Sequence, residues 1–163
     1  MSNRDIPAFD ALSGEGLPYS GFGKILPVTP ERVMRLKAAI ADAQKRVSEG
    51  FGFDFHNPAE APKHLDAIVA DMWNTGWDPK TGNVNVFTRD FGLVLTESIL
   101  GLLGGALMLR AEQDLSHLSI FWVDFKIEAF PFHKVLKCLY RRHGESMASF
   151  VAGLAKCVNP NPR

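Results

Sequence analysis

Residues 118–140 read LSIFWVDFKIEAFPFHKVLKCLY, and their periodicity changes once. Ser119, Phe121, Val123, Phe125, Ile127 and Ala129 alternate with Ile120, Trp122, Asp124, Lys126 and Glu128, the two-residue period of a strand. Beyond Pro131 the period becomes helical. Val135, Leu136 and Leu139 fall on one face, and Lys134, Lys137 and Arg141 on the other. Strand therefore gives way to helix across the Pro131-Phe132 step. The extended part is either one bent strand over 118–130 or two strands with a break near Asp124. Upstream, 106–112 reads as a second strand with Leu107 and Leu109 on one face. The polar run 113–117 turns the chain between them.

Helical patterns surround this pair. Thr29-Pro30-Glu31 is a helix start, with Thr as N-cap, Pro at the first helical position and an acid in the first turn. Val33, Leu36, Ile40, Ala43 and Val47 form its apolar stripe and Gly50 its stop. Phe51, Phe53 and Phe55 then alternate with small or polar residues, as a very short strand or an aromatic loop. A second helix opens near Pro62 and closes at Gly76. A third runs over 85–103 and is apolar in nearly every direction, the mark of a central buried helix. Gly104-Gly105 breaks it. A fourth covers 132–142, and Ser146 caps a fifth that carries Met147, Phe150, Val151 and Leu154. The expected fold is α+β, with about five helices packed on one small antiparallel sheet around the helix 85–103.

Residues 1–28 hold Gly, Pro and Ser in quantity, which predicts an irregular arm ahead of a single domain over 29–163. The arm also holds Ile6, Phe9, Leu12, Tyr19, Phe22, Ile25 and Leu26, more apolar side chains than a solvated tail needs. It lies against its own domain or docks on a partner.

The chain has 163 residues, 46% hydrophobic, with 18 Lys plus Arg against 18 Asp plus Glu. That balance excludes a global electrostatic pull on nucleic acid or anionic lipid. The first residues lack the basic and apolar sequence of a secretory signal. The apolar run 91–109 is interrupted by Thr96, Glu97, Ser98 and four glycines, too often for a membrane span. Cys138 and Cys157 have no CxxC spacing, so two reduced thiols in a cytoplasmic protein are expected.

Few residues offer chemistry. Glu97 sits within the apolar helix. Buried there, its charged form would be penalised and its carboxyl would become a usable acid or base; on a wet edge, or paired with Arg110 or Lys126, it would be structural. Asp54, His56, His64 and Asp66 are metal-ligand types without helical ligand spacing, and no metal is expected from them. His133 and Cys138 lie five residues apart on one helix and diverge. No phosphate-binding glycine loop, dinucleotide fingerprint or nucleophile elbow occurs, so no cofactor is expected. Lys134, Lys137 and Arg141 form a basic face, either solvated or turned to an acidic partner.

From Val86 to Cys157, under half of the chain, the order of elements resembles a small uncharacterised bacterial α+β domain family. The residues that carry the likeness are Gly92 in an apolar helix ending at Gly104-Gly105, the strand hairpin, the Pro131-Phe132 step, Lys134 and Lys137 on the next helix, and a Ser-capped helix with Phe150. The resemblance implies an immunity-protein-like binding role and carries no catalytic residue. Together these readings lead to the expectation of a non-enzymatic, cytoplasmic protein-binding domain, an immunity-type neutraliser of a bacterial toxin. Its contacts would be Phe9, Tyr19, Phe22, Lys134, Lys137 and Arg141, with no nucleic acid or membrane partner. The alternatives are a small enzyme with an acid/base site around Glu97 and a self-associating structural protein.

Overall fold

A computed structural model describes residues 17–19, 23–27, 30–110, 118–140 and 144–159, with backbone only for 17–19 and 23–27 and for Arg32, Leu109 and Arg110. The elements in order are β1 (Leu17–Tyr19), β2 (Gly23–Pro27), α1 (Pro30–Phe51), α2 (Ala61–Asn74), α3 (Val84–Leu103), β3 (Ala106–Arg110), β4 (Leu118–Trp122), β5 (Ile127–Ala129), α4 (Pro131–Tyr140) and α5 (Met147–Val158). This is the α+β fold expected, with five helices and an antiparallel sheet in the order β1-β2-β3-β4-β5. Among the described residues, no helix is long and apolar enough to cross a membrane.

The segment 118–130 is two strands. After Trp122 the chain makes a turn of 3-10 helix at Val123–Phe125, and Lys126 takes a left-handed φ of 53°. Trp122 then pairs with Ile127 and Ile120 with Ala129. The turn changes which residues face inward. Leu118, Ile120 and Trp122 reach the core from β4, whereas Ile127 and Ala129 do so from β5. A single alternating pattern therefore spans two strands whose inward sets have opposite parity. In β3, Leu107 pairs with Ile120 and leans on the core, while Met108 is buried outside the main core cluster.

One expectation is corrected here. Residues 17–19 and 23–27, assigned to an irregular arm, are antiparallel strands, and β2 pairs with β3. The prolines that argued against regular structure sit at Pro18, in the edge strand, and Pro27, the last residue of β2. Those are the places where a sheet tolerates a missing N–H. Residues 1–16, 20–22 and 28–29, including Phe9, Phe22 and the predicted cap Thr29, lie outside the described residues.

The helix α3 is the centre, meeting α1, α2, α4 and α5. Phe91, Leu93, Val94, Leu95 and Ile99 on it are at most 1% exposed, which is why no single apolar stripe is visible in its sequence. Gly92 admits the Phe132 ring, since a Cβ there would lie 2.3 Å from it. Gly105, at φ 95°, does the same for Ile120 and Trp122. The Trp122 Nε1–H donates to the Leu103 carbonyl at 3.0 Å, tying the turn end of the β4–β5 hairpin to the C-terminal end of α3.

The fifth helix is capped as expected, with Ser146 Oγ accepting from the Ser149 N–H. A second cap comes from α2. The Asp66 carboxylate accepts from Met147 N–H at 2.7 Å, Ala148 N–H at 3.0 Å and Ser146 Oγ–H at 2.7 Å. Three donors at a helix N-terminus hold a carboxylate firmly there.

Candidate functional site

A groove with converging polar groups lies between α1, the loop 52–60 and α3. On α1, Ala41, Gln44, Lys45 and Ser48 share one face at helical spacing and line a cavity of ≈ 360 Å³ with Glu49, Phe55 and His56. An adjoining cavity of ≈ 240 Å³ shares Gln44, Phe55 and His56 and is closed by Pro58, Glu97, Ser98 and Gly101. The loop is an aromatic one, not a strand. Gly52 at φ 76° lets it leave α1, and Phe53 and Phe55 pack their rings against His64 at 4.9 and 6.0 Å. The His64 ring nitrogen Nδ1 is 2.9 Å from the Asp54 carbonyl, and Ser98 Oγ–H donates to the Pro58 carbonyl at 2.6 Å. Both ends of the loop are therefore pinned.

Glu97 is on the wet edge of α3. Its neighbours turn inward, with Thr96 donating to the Gly92 carbonyl at 2.7 Å and Ser98 bonded to the loop. Glu97 itself is half-buried in the groove wall and forms no hydrogen bond or ion pair with a described residue. His56 stands at the rim with its side chain 92% exposed. Its Nε2 is 3.8 Å from the Asp54 carboxylate, too long for a strong bond. An acid and an imidazole thus border one cavity, but neither is held in a fixed orientation by a partner.

The other candidate groups come apart. Of the four potential metal ligands, His64 pins the loop and Asp66 caps α5, so neither faces His56. Among the described residues, no group of three or more His, Cys, Asp and Glu side chains could hold a metal ion. On α4 the basic face is smaller than its spacing suggests. Lys134 is 17% exposed, ion-paired with Glu145, and lies over the Phe150 ring at 5.5 Å. Lys137 is open, and Arg141 lies outside the described residues, as does the side chain of Tyr19.

The apolar side of α4 is corrected as well. Val135, Cys138 and Leu139 are the buried set, while Leu136 is 37% and Tyr140 48% exposed. His133, Leu136, Lys137 and Tyr140 then form one outward face at i, i+3, i+4 and i+7. His133 stacks on Phe130 at 5.5 Å.

An ion cluster that sequence reasoning missed joins α1 to α3. Arg46 grips Asp90 with Nη2–Oδ1 at 2.8 Å and Nε–Oδ2 at 3.1 Å, and Arg89 Nε donates to Asp90 Oδ1 at 3.0 Å. The Asp90 hydrogen bonds raise the Arg46 guanidinium above its ordinary pKa, against the desolvation that would lower it. Adjacent Arg89 and Asp90 in an apolar helix were the available signal.

Both cysteines are free thiols, Cys138 buried and Cys157 exposed. Burial pushes the Cys138 thiol up to about 12, against the opposing pull of the Lys134 cation. A disulfide-exchange reagent at pH 8 is therefore expected to titrate Cys157 at once and Cys138 only on unfolding. The raised pKa also sets a pH dependence. Above pH ~9 the unfolded thiol ionises while the folded one stays protonated, so stability should fall from there towards pH 12. Two thiols reacting at one rate in the native protein would contradict both expectations.

No family model, characterised protein or solved structure matches this chain.

Proposed function

We propose that the chain is a non-enzymatic binding domain of the bacterial cytoplasm whose task is to hold another protein, as an immunity-type neutraliser holds a toxin. One observation carries the reading. The outward face of α4 presents Leu136 and Tyr140 one turn apart beside the open cation of Lys137, on a helix whose other side is locked into the core. A tyrosine with an apolar neighbour on a rigid element is the composition of an interface anchor. Lys137 would speed association with an acidic surface and lose that effect at high salt.

The test is affinity capture from the source cells with full-length bait, beside a Leu136→Ala/Tyr140→Ala bait of unchanged helicity. A specific partner held by the first and lost by the second is expected. Equal retention by both would remove α4 from the interface. The enzyme reading is favoured by a different observation, the groove that reaches Glu97 with His56 on its rim. No partner in either lane, with turnover of a small substrate abolished in Glu97→Gln, would replace the binding reading by that one.

A further inference from the structure

We infer that the groove beside α3 receives an arginine side chain of the bound protein, with Glu97 as its counter-ion, a step that rests on the binding reading above. The geometry comes first. The cavity of ≈ 240 Å³ adjoins the one of ≈ 360 Å³, with Gln44, Phe55 and His56 lining both. A side chain with an apolar stem and a polar head suits the two kinds of wall that the narrower cavity offers. Phe55 and Pro58 offer carbon to an aliphatic stem, and Gly101 keeps α3 thin where Pro58 approaches, since a Cβ there would meet the proline ring at 3.3 Å.

Charge decides the chemistry of the occupant. Among the described residues, Glu97 carries the only carboxylate lining the narrower cavity and no lysine or arginine lines it, while Lys45 of the adjoining cavity has Glu49 at 4.0 Å as its own counter-ion. That carboxylate has no hydrogen bond or ion pair with a described residue, although its side chain is partly removed from water. A carboxylate so placed gains most from a donor that brings two parallel N–H groups, which is what a guanidinium supplies and an ammonium does not. The Gln44 amide and the exposed His56 ring flank the same space. The first offers an oxygen to the remaining N–H groups, and the second a flat surface for the guanidinium plane. The Ser98 hydroxyl donates its hydrogen bond to the Pro58 carbonyl, so its hydrogen is not directed at the Glu97 carboxylate.

The experiment uses isotope-labelled full-length protein titrated with N-acetyl-arginine amide and, separately, with its neutral counterpart N-acetyl-citrulline amide. Saturable shifts at the backbone amides of Gln44, His56, Ser98 and Gly101 are expected with arginine. They should weaken about tenfold with citrulline, and about tenfold in Glu97→Gln, as the loss of a charged hydrogen-bond pair implies. Glu97→Gln keeps the side-chain volume at a site without structural bonds, and its circular dichroism spectrum should match the parent. Equal responses to the two probes, no saturation, or an unchanged Glu97→Gln titration would each overturn the inference. The two proposals fail separately. A captured partner indifferent to Glu97→Gln removes the arginine slot and leaves the binding domain. Arginine binding that needs Glu97 while no protein is captured removes the partner and leaves a small-molecule guanidinium site.

Discussion

Leu95→Ala and Ile99→Ala are each expected to lower the free energy of unfolding by about 2–5 kcal/mol, the cost of a large aliphatic side chain lost from a core that relaxes only in part. Both side chains are 0% exposed and lie four residues apart on α3, one above the other. The helix packs on α1, α2, α4 and α5, and both side chains lie away from its wet edge, so a cavity left by either is closed to water. Chemical denaturation should show the midpoint moving down with the slope unchanged. The double variant should cost less than the sum, because the second truncation enlarges a cavity already made. Leu102→Ala is the internal control. It lies on the same helix at 40% exposure and should stay within about 1 kcal/mol. Unchanged midpoints for Leu95→Ala and Ile99→Ala would mean that α3 does not form the centre of the core.

That α3 is central was legible in the sequence, because an all-round apolar helix has nowhere to go but inside. Several helix boundaries followed from local chemistry, with Pro30 and Ser146 starting helices and Gly104 stopping one, whereas α1 runs through the expected stop at Gly50 to Phe51 and the left-handed glycine that follows it is Gly52. What was not legible depended on contacts distant in sequence. The alternation over 118–130 continues through Val123–Phe125, which left one bent strand and two strands with a break near Asp124 both open, and the pairing of Trp122 with Ile127 decides for the second. The strands at 17–19 and 23–27 are too short and too rich in Pro and Gly to announce themselves. They exist because β3 offers them an edge. On α4, Leu136 sits at the margin of the apolar face, and the packing against α3 decided its side.

The candidate site divides in the same way. Glu97 was visible as a carboxylate in an apolar helix, and its wet-edge placement was one of the two expectations. Its companions Gln44 and Ser48 were not visible, since polar residues on the outer face of α1 carry no signal until the loop 52–60 folds over them. Asp66 looked like a metal ligand for the same reason. Nothing near it in sequence discloses the N-terminus of α5, 80 residues on, that it caps. Local chemistry is written locally; a carboxylate's use depends on which donors the fold brings to it.

Asp90→Ala is the second large effect expected, on the order of 3 kcal/mol, because it removes one partner of a buried ion cluster and leaves the other charges in place. Asp90 and Arg89 have side chains 8% and 9% exposed. Without the carboxylate that receives its Nε, the Arg89 guanidinium keeps its full charge in a site nearly closed to water and loses one of its partners. Arg46 suffers less. Its side chain is 49% exposed and can turn to solvent, so Arg46→Ala alone should cost only about 1 kcal/mol. The asymmetry gives the test its sharp form. Adding Arg89→Met to Asp90→Ala should recover part of the loss, since the charge that lost its Asp90 acceptor is then gone and a flexible apolar side chain fills the space. If the cluster were held chiefly by attraction between Arg46 and Asp90, the added Arg89→Met would change nothing, and Arg46→Ala would be as damaging as Asp90→Ala. Denaturation midpoints of the four proteins decide between these outcomes. The first pattern would identify the bond between α1 and α3 as one that costs little to lack and much to break.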